Sequence, residues 1–253
     1  MTEELNARSF GAQAKAYAAG RPGYPDALFD WIAEQAPARE AVWDVATGNG
    51  QAAISLAERF ETVFATDIDP AQLAEAKVHD RIKYTLAPSE ASGLASASVD
   101  AVTAAAALHW FSTPAFWAEV GRVLRPGGLF CAWVYDLPSD VPMLQAPLVD
   151  PVREIVDPYW AEGNRKAMRG YQPEEMGIPL TLVETPRFAC DLSWTPEQVI
   201  AFMRSWSAHK RAREDGHEAT LSALEKDALK RQQADRLLAV RLPLYVLAGR
   251  KGG

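Results

Sequence analysis

The sequence predicts an α/β fold built on a parallel sheet, and three observations carry the prediction. Short apolar runs alternate with helical stretches, and strands separated by helices of about 10 to 15 residues form strand-helix-strand units that bury a parallel sheet. One run, Val42 to Ala46, ends in the turn Gly48-Asn49-Gly50 and passes at Gln51 directly into a helix. Such a turn brings bare backbone and a helix N-terminus to the carboxyl edge of the sheet, where open α/β sheets take nucleotide-like ligands. The third observation is size: 253 residues can bury a real core and are most simply one domain, residues 1–253, with an added cap.

Residues 1–40 read as a helical N-terminal cover. Ala12 to Ala18 favours helix, Gly20-Arg21-Pro22-Gly23-Tyr24-Pro25 breaks it, and Leu28, Trp31, Ile32 and Gln35 trace a mostly apolar face. Residues 41–135 form the ligand-binding core. Its strands are Val42 to Ala46, Thr62 to Thr66, Ile82 to Leu86, Val99 to Ala104 and Leu129 to Val134. Its helices are Gln51 to Phe60, Pro70 to His79 with Asp69 as N-cap, and Pro114 to Leu124, with Pro126-Gly127-Gly128 as the turn into the last strand. From 136 to 253 the chain supplies cap insertions and closing strands. Eight prolines between Asp136 and Pro186 exclude long elements there, although Asp150-Pro151 can open a short helix through Tyr159. Thr185 to Leu192 reads as a strand, Pro196 to Arg213 as a helix opened by Thr195, and Ala219 to Leu238 as an amphipathic helix with Leu221, Leu224, Ala228 and Leu229 inward. Val240 to Ala248 closes the sheet.

Composition narrows the function. Lys plus Arg number 26 against 33 Asp plus Glu, a formal charge of −7, which argues against a nucleic-acid surface and for a small-molecule partner. The two cysteines, Cys131 and Cys190, stand far apart in apolar stretches, so we expect no disulfide framework, no thiolate metal site and a reducing cytosol. The polar start, and the lack of any apolar run near the roughly 18 residues of a membrane span, lead us to expect a soluble cytoplasmic protein. No metal-ligand spacing and no nucleophile elbow is present.

The glycine turn itself admits two ligands. Gly48, Gly50 and Ala53 match the spacing of a dinucleotide-binding turn, with Asp67 at the end of the second strand as the ribose acid. Asp44 discriminates. A pyrophosphate would bring two negative charges beside this strand-end carboxylate, at about 1 kcal/mol even in water and more when partly buried. A cationic ligand suits it better, and S-adenosylmethionine offers an ammonium, a sulfonium and a ribose without phosphate.

The block Asp44-Val-Ala-Thr-Gly48-Asn-Gly50, then Asp67 in Phe-Ala-Thr-Asp-Ile-Asp, Ser89-Glu90, and Val123-Leu-Arg-Pro-Gly-Gly128 resembles the class I S-adenosylmethionine-dependent methyltransferases in order and spacing. Tyr17, Arg21-Pro22-x-Tyr24-Pro25, Leu108-His109-Trp110-Phe111 and Ser205-Trp206-Ser207-Ala208 resemble the branch that includes trans-aconitate methyltransferases. The resemblance implies a Rossmann-like, doubly wound sheet of about seven strands, mostly parallel with a reversed strand at one edge, under a helical cap. It also implies S-adenosyl-L-methionine as cofactor and methyl transfer to a small-molecule acceptor, a carboxylic acid by branch.

By the same resemblance, the turn Gly48-Asn49-Gly50 passes under the methionine part and Asp44 helps to hold its ammonium. Ala46 replaces the usual first glycine, harmlessly unless its φ must be positive. Asp67 accepts from both ribose hydroxyls, with Ile68 beside it, while Ser89 and Glu90 read the adenine and Ala104 opens a stretch of backbone carbonyls facing the ammonium. Tyr17 and Arg21, on the cover, are further cofactor-binding candidates, Arg21 as a partner for a carboxylate of cofactor or substrate. His109 and Trp110, just past a strand end, are the catalytic candidates, His109 as a general base or as a donor that orients a carboxylate. Trp194, Trp206 and His209 are candidate wall residues that can equally be core, and Lys210, Arg211 and Arg213 read as a solvated face. A nicotinamide-dependent oxidoreductase using the same loop, or a non-catalytic cofactor-binding protein, stays open on the residues alone.

Overall fold

The computed structural model describes residues 22–138, 141, 143–231 and 236–253. After helix α1 (Asp26–Gln35), which buries Leu28, Phe29, Ile32 and Ala33, five strands form where the apolar runs require them. They are β1 (Ala41–Val45), β2 (Thr62–Asp67), β3 (Ile82–Leu86), β4 (Val99–Ala105) and β5 (Leu124–Tyr135), with α2 (Gln51–Ala57), α3 (Pro70–Ala74) and α4 (Pro114–Val123) between them. All five pair in parallel, and β1 is buried along its whole length because the sheet is covered on both faces. After β5 come α5 (Asp150–Val156), α6 (Glu162–Met168), α7 (Pro173–Met176), β6 (Thr181–Leu182), β7 (Phe188–Trp194), α8 (Pro196–Arg204), α9 (Ser207–Ala212), α10 (Glu218–Arg231) and β8 (Leu238–Arg250).

The sheet order is β3-β2-β1-β4-β5-β8-β6, with β7 also on β8. β8 runs antiparallel to its neighbours, pairing with β5 through residues 244–250 and with β7 through 238–244. The expected reversed strand is therefore present, and its outer edge is shared by two short pieces rather than one strand. None of the described helices is long and apolar enough to cross a membrane.

Several boundaries differ from the sequence reading for visible reasons. Arg125-Pro126-Gly127-Gly128 lies within β5 as a bulge: Val99 pairs with Leu124, while Ala101 already pairs with Leu129. Arg125 fastens this bulge by ion pairs at 2.7 Å to the buried Asp100 and to Glu40. Helix α3 stops at Ala74, short of His79, because the next turn covers nothing apolar and Val78 is 95% exposed. The helix expected from Pro196 to Arg213 breaks at Trp206, whose extended backbone (ψ 133°) lets its indole turn into the core. Arg213 is not a solvated residue: with Arg204 it pairs with Glu225, buried on the inner face of α10, and His209 Nε2 lies 3.5 Å from the same carboxylate. The helix expected over Ala12 to Ala18 falls outside the described residues.

Candidate functional site

The loop after β1 is held in left-handed backbone at three positions, with φ of 52° at Ala46, 58° at Gly48 and 80° at Gly50. Gly50 is doubly constrained, since a Cβ there would sit 2.2 Å from the Tyr84 hydroxyl. Ala46 is the departure that matters. Its φ is positive, so the expectation that a methyl is harmless there is corrected: an L-residue in this region carries about 1 to 2 kcal/mol of strain. The end of β4 repeats the device, with Ala106 at φ 51° and its N–H donating to the Trp133 carbonyl at 2.7 Å. Non-glycine residues in such backbone collect where a site over-determines the chain.

Asp44 is fully buried and accepts from the Thr47 hydroxyl at 2.5 Å and the Thr103 hydroxyl at 2.8 Å. Burial pushes its carboxyl up to about 6, against the two hydroxyl bonds that favour the charge. It acts from beneath the loop and does not line a cavity. Asp67 does: its two oxygens accept from Gly48 N–H at 2.8 Å and Asp69 N–H at 2.9 Å, which aims the carboxylate across the loop. Burial raises its titration point, with Asp69 adding to the rise. Asp69 caps α3 through the Ala71 N–H at 2.9 Å, and its second oxygen is buried without a partner among the described residues.

Two clefts meet at this sheet edge. The first, about 680 Å³, lies over the loop and is lined by Ala46, Gly48, Asp67, Ile68, Gln72, Ala105 to Ala107, Trp110 and Phe111. The second, about 640 Å³, lies toward the cap and is lined by His109, Trp110, Tyr135, Asp136, Trp160, Asn164, Phe202, Trp206 and Ser207 among others. Trp110 and Ala106 line both, so they are the wall between them. Helix α6 presses on that wall at Gly163, where a Cβ would meet the Trp110 ring at 3.1 Å and the His109 carbonyl at 3.2 Å.

His109 faces the second cleft, and its Nδ1 lies 2.9 Å from the Tyr171 hydroxyl. Tyr171 is 1% exposed and has a φ of 52°, a costly conformation for a bulky residue. No motif or spacing in the chain points to Tyr171. Asp136, directly after β5, could have been found by the rule that located His109, since both follow strands at the carboxyl edge. Other sequence candidates fall elsewhere. Ser89 and Glu90 bond each other at 3.1 Å and line neither cleft, although their loop begins at Ala87, whose N–H donates to the Asp67 carbonyl at 3.0 Å. Ala104 is fully buried in β4, and the cleft is met one to three residues later, at Ala105 to Ala107. Asn49 and Gly50 shape the turn without lining the clefts, and of the cap residues only Trp206 is a wall, Trp194 and His209 being packed inside. Tyr17 and Arg21 lie outside the described residues. Of the cover, Tyr24 stacks on Tyr135 with ring centroids 4.9 Å apart, and the Pro22 carbonyl accepts from Gln51 Nε2 at 2.8 Å and from the Tyr135 hydroxyl.

A doubly wound sheet with a glycine loop, a strand-end acid on each of the first two strands and a second cleft across a thin wall defines a two-substrate enzyme of the nucleotide-binding α/β class. Comparison with known proteins gives the particular family. Residues 43–132 match the model of a methyltransferase domain. A Dictyostelium discoideum protein provisionally named a methyltransferase is 30% identical over 252 residues, covering 96% of this chain and 94% of its own length. A Saccharomyces cerevisiae protein provisionally described as an S-adenosylmethionine-dependent methyltransferase is 26% identical over 223 residues, 75% of this chain and 77% of its own. A solved structure from Anaeromyxobacter dehalogenans, provisionally described as a type II methyltransferase, superposes with a TM-score of 0.82 at 35% identity, covering 92% of this chain and 99% of its own. The chain belongs to the methyltransferase family and is an enzyme that uses S-adenosylmethionine. The oxidoreductase alternative falls with that. The first cleft fits this cofactor on chemical grounds: among the described residues no Lys or Arg lines it, Asp67 faces it and Asp44 lies beneath, a negative surrounding that suits a cationic ligand better than a pyrophosphate.

Proposed function

We propose that the first cleft holds S-adenosylmethionine and the second a small-molecule acceptor, with the methyl passing beside Trp110. The observation that carries this reading is the shared wall: Trp110 and Ala106 border both clefts, and His109 stands on the acceptor side. When bound, the cofactor supplies an electrophilic methyl on sulfur. Asp67, oriented by two backbone donors, binds the ribose hydroxyls. Gly48 and Ala46 let the backbone approach the amino-acid end, Ile68 packs beside the adenosine, and Asp44 supplies negative potential from below. The protein then mainly positions the partners and excludes water. His109, its ring fixed by Tyr171, takes a proton from the acceptor where one must leave. Residues 41–135 are the cofactor-binding core, 136–253 the acceptor cap and 1–40 the cover. Unpaired thiols at the buried Cys131 and Cys190 support a cytoplasmic setting.

The branch resemblance favours a carboxylic acid acceptor. The acceptor cleft offers it little: its described lining contains no Lys or Arg and does contain Asp136, and Arg21 is outside the described residues. The reading is tested by calorimetry with S-adenosylhomocysteine on the full chain and on Asp67→Asn, together with detection of methyl transfer to any acceptor in a metabolite screen. Absence of S-adenosylhomocysteine binding refutes the cofactor cleft, and binding without any transfer favours a non-catalytic role.

A further inference from the structure

The acceptor cleft has a distinctive chemistry. One side is a run of rings in contact: Trp160 and Trp206 at 5.9 Å between centroids, Trp206 and Phe202 at 5.9 Å and 84°, Phe202 and Tyr135 at 6.4 Å and 86°. Asp136 follows Tyr135 in the chain and lines the same cleft, half-buried at the carboxyl end of the central sheet. Its side chain is aimed by neutral donors, the Leu137 N–H at 2.7 Å and the Tyr245 hydroxyl at 3.0 Å, and no basic side chain among the described residues pairs with it. A carboxylate held this way, beside aromatic rings that attract cations, disfavours an anion and favours an ammonium.

We propose that the methyl acceptor is an aromatic or otherwise flat amine, bound as its ammonium with the cation toward Asp136 and its apolar body against Trp160, Phe202 and Trp206. The proposal rests on the assignment of this cleft as the acceptor side. The ammonium first gives one proton to His109, which lines the same cleft and passes it to solvent. The freed nitrogen lone pair then forms the bond to the methyl carbon as the carbon–sulfur bond breaks. The bonding pair of the broken bond stays on sulfur, which becomes a neutral thioether. The product is an N-methylammonium with its charge still facing Asp136.

Three probes that share a phenylethyl frame and differ only at its end test this: phenethylamine, phenylacetate and 2-phenylethanol. Each is titrated by calorimetry into the full chain saturated with S-adenosylhomocysteine, and each is assayed for S-adenosylhomocysteine release from S-adenosylmethionine. Phenethylamine is expected to bind at least ten-fold tighter than the acid and the alcohol, and Asp136→Asn to abolish that preference while S-adenosylhomocysteine affinity changes less than two-fold. Trp160→Leu, which removes one wall without touching Asp136, is expected to weaken phenethylamine at least three-fold and serves if the Asp136 variant does not fold. Tighter binding of the acid or alcohol, no binding of any probe, or an amine preference that survives Asp136→Asn overturns the proposal. Failure to bind S-adenosylhomocysteine refutes the cofactor cleft itself, so the two failures are distinguishable.

Discussion

Replacing Ala46 by glycine measures how much strain the cofactor loop stores. Ala46 has a φ of 52°, where an L-residue is disfavoured by about 1 to 2 kcal/mol and glycine is not. Glycine also frees the unfolded chain, which returns about 0.4 to 1 kcal/mol of the gain. The net expectation is therefore a stabilisation of about 0.5 to 1 kcal/mol. Ala97 provides an internal calibration: its φ is 50°, and it stands in an exposed turn far from both clefts, so Ala97→Gly reports the same backbone term without any effect of the site. Equilibrium unfolding in urea gives both numbers at fixed m-value. Equal gains at 46 and 97 mean that the loop stores ordinary left-handed strain. A loss of stability in Ala46→Gly, beside a gain in Ala97→Gly, would refute the reasoning and show that the Ala46 methyl makes contacts worth more than its strain. If the strained conformation is what pre-shapes the cleft, Ala46→Gly also binds S-adenosylhomocysteine more weakly, because the looser loop must be ordered on binding.

Four further outcomes are expected. Asp67→Asn should weaken S-adenosylhomocysteine at least ten-fold by calorimetry, and an unchanged affinity would remove Asp67 from the cofactor assignment. Asp44 titrates higher in the folded chain, about 6 against an ordinary 3.8, so its burial costs nothing below the ordinary value, and the cost is complete once pH exceeds the folded one. The difference corresponds to about 3 kcal/mol, so the stability of Asp44→Asn relative to wild type should rise by about that much from about pH 4 to about pH 7 and then stay flat in urea unfolding. Glu225 is the opposite case, held down to about 2 by Arg204, Arg213 and His209 despite its burial. The stability it contributes, about 2 to 3 kcal/mol, is present above its ordinary titration range and lost as pH falls through that range toward 2, and Glu225→Gln should lack this acid-side slope. Tyr171→Phe should lower kcat and move the pH profile of methyl transfer while leaving S-adenosylhomocysteine affinity unchanged, and an unmoved profile would reduce Tyr171 to packing.

The parts of the fold that were legible are those where local chemistry and tertiary environment agree. The run read as a strand from Val42 to Ala46 is a buried strand, ending one residue sooner at Val45, and Asp69-Pro70 and Thr195-Pro196 open helices with each cap present in the structure. The glycine loop and the strand-end position of Asp67 were readable because a tight turn in left-handed backbone leaves few residue types free. What was not legible depends on contacts distant in sequence. The break at Trp206 follows from where its indole finds the core, and the buried Glu225 on an otherwise ordinary amphipathic helix follows from arginines 12 and 21 residues away. The acceptor wall was least legible of all. Tyr171 reaches His109 across 62 positions, and Tyr135 in β5, Trp160 in the loop before α6 and Phe202 in α8 are connected by no periodicity.

A single indole and one alanine backbone separate the two clefts, and this limits how such an enzyme can acquire new acceptors. On the proposed assignment of the two clefts, trimming Trp110 to enlarge the acceptor side is expected also to open a water path to the cofactor side. Trp160, Asn164 and Ser207 carry no such penalty, because they stand on the outer cap and border only the acceptor. Variation of acceptor range is therefore expected to concentrate on that outer wall, while Trp110 and the glycine that presses on it, Gly163, change together or not at all.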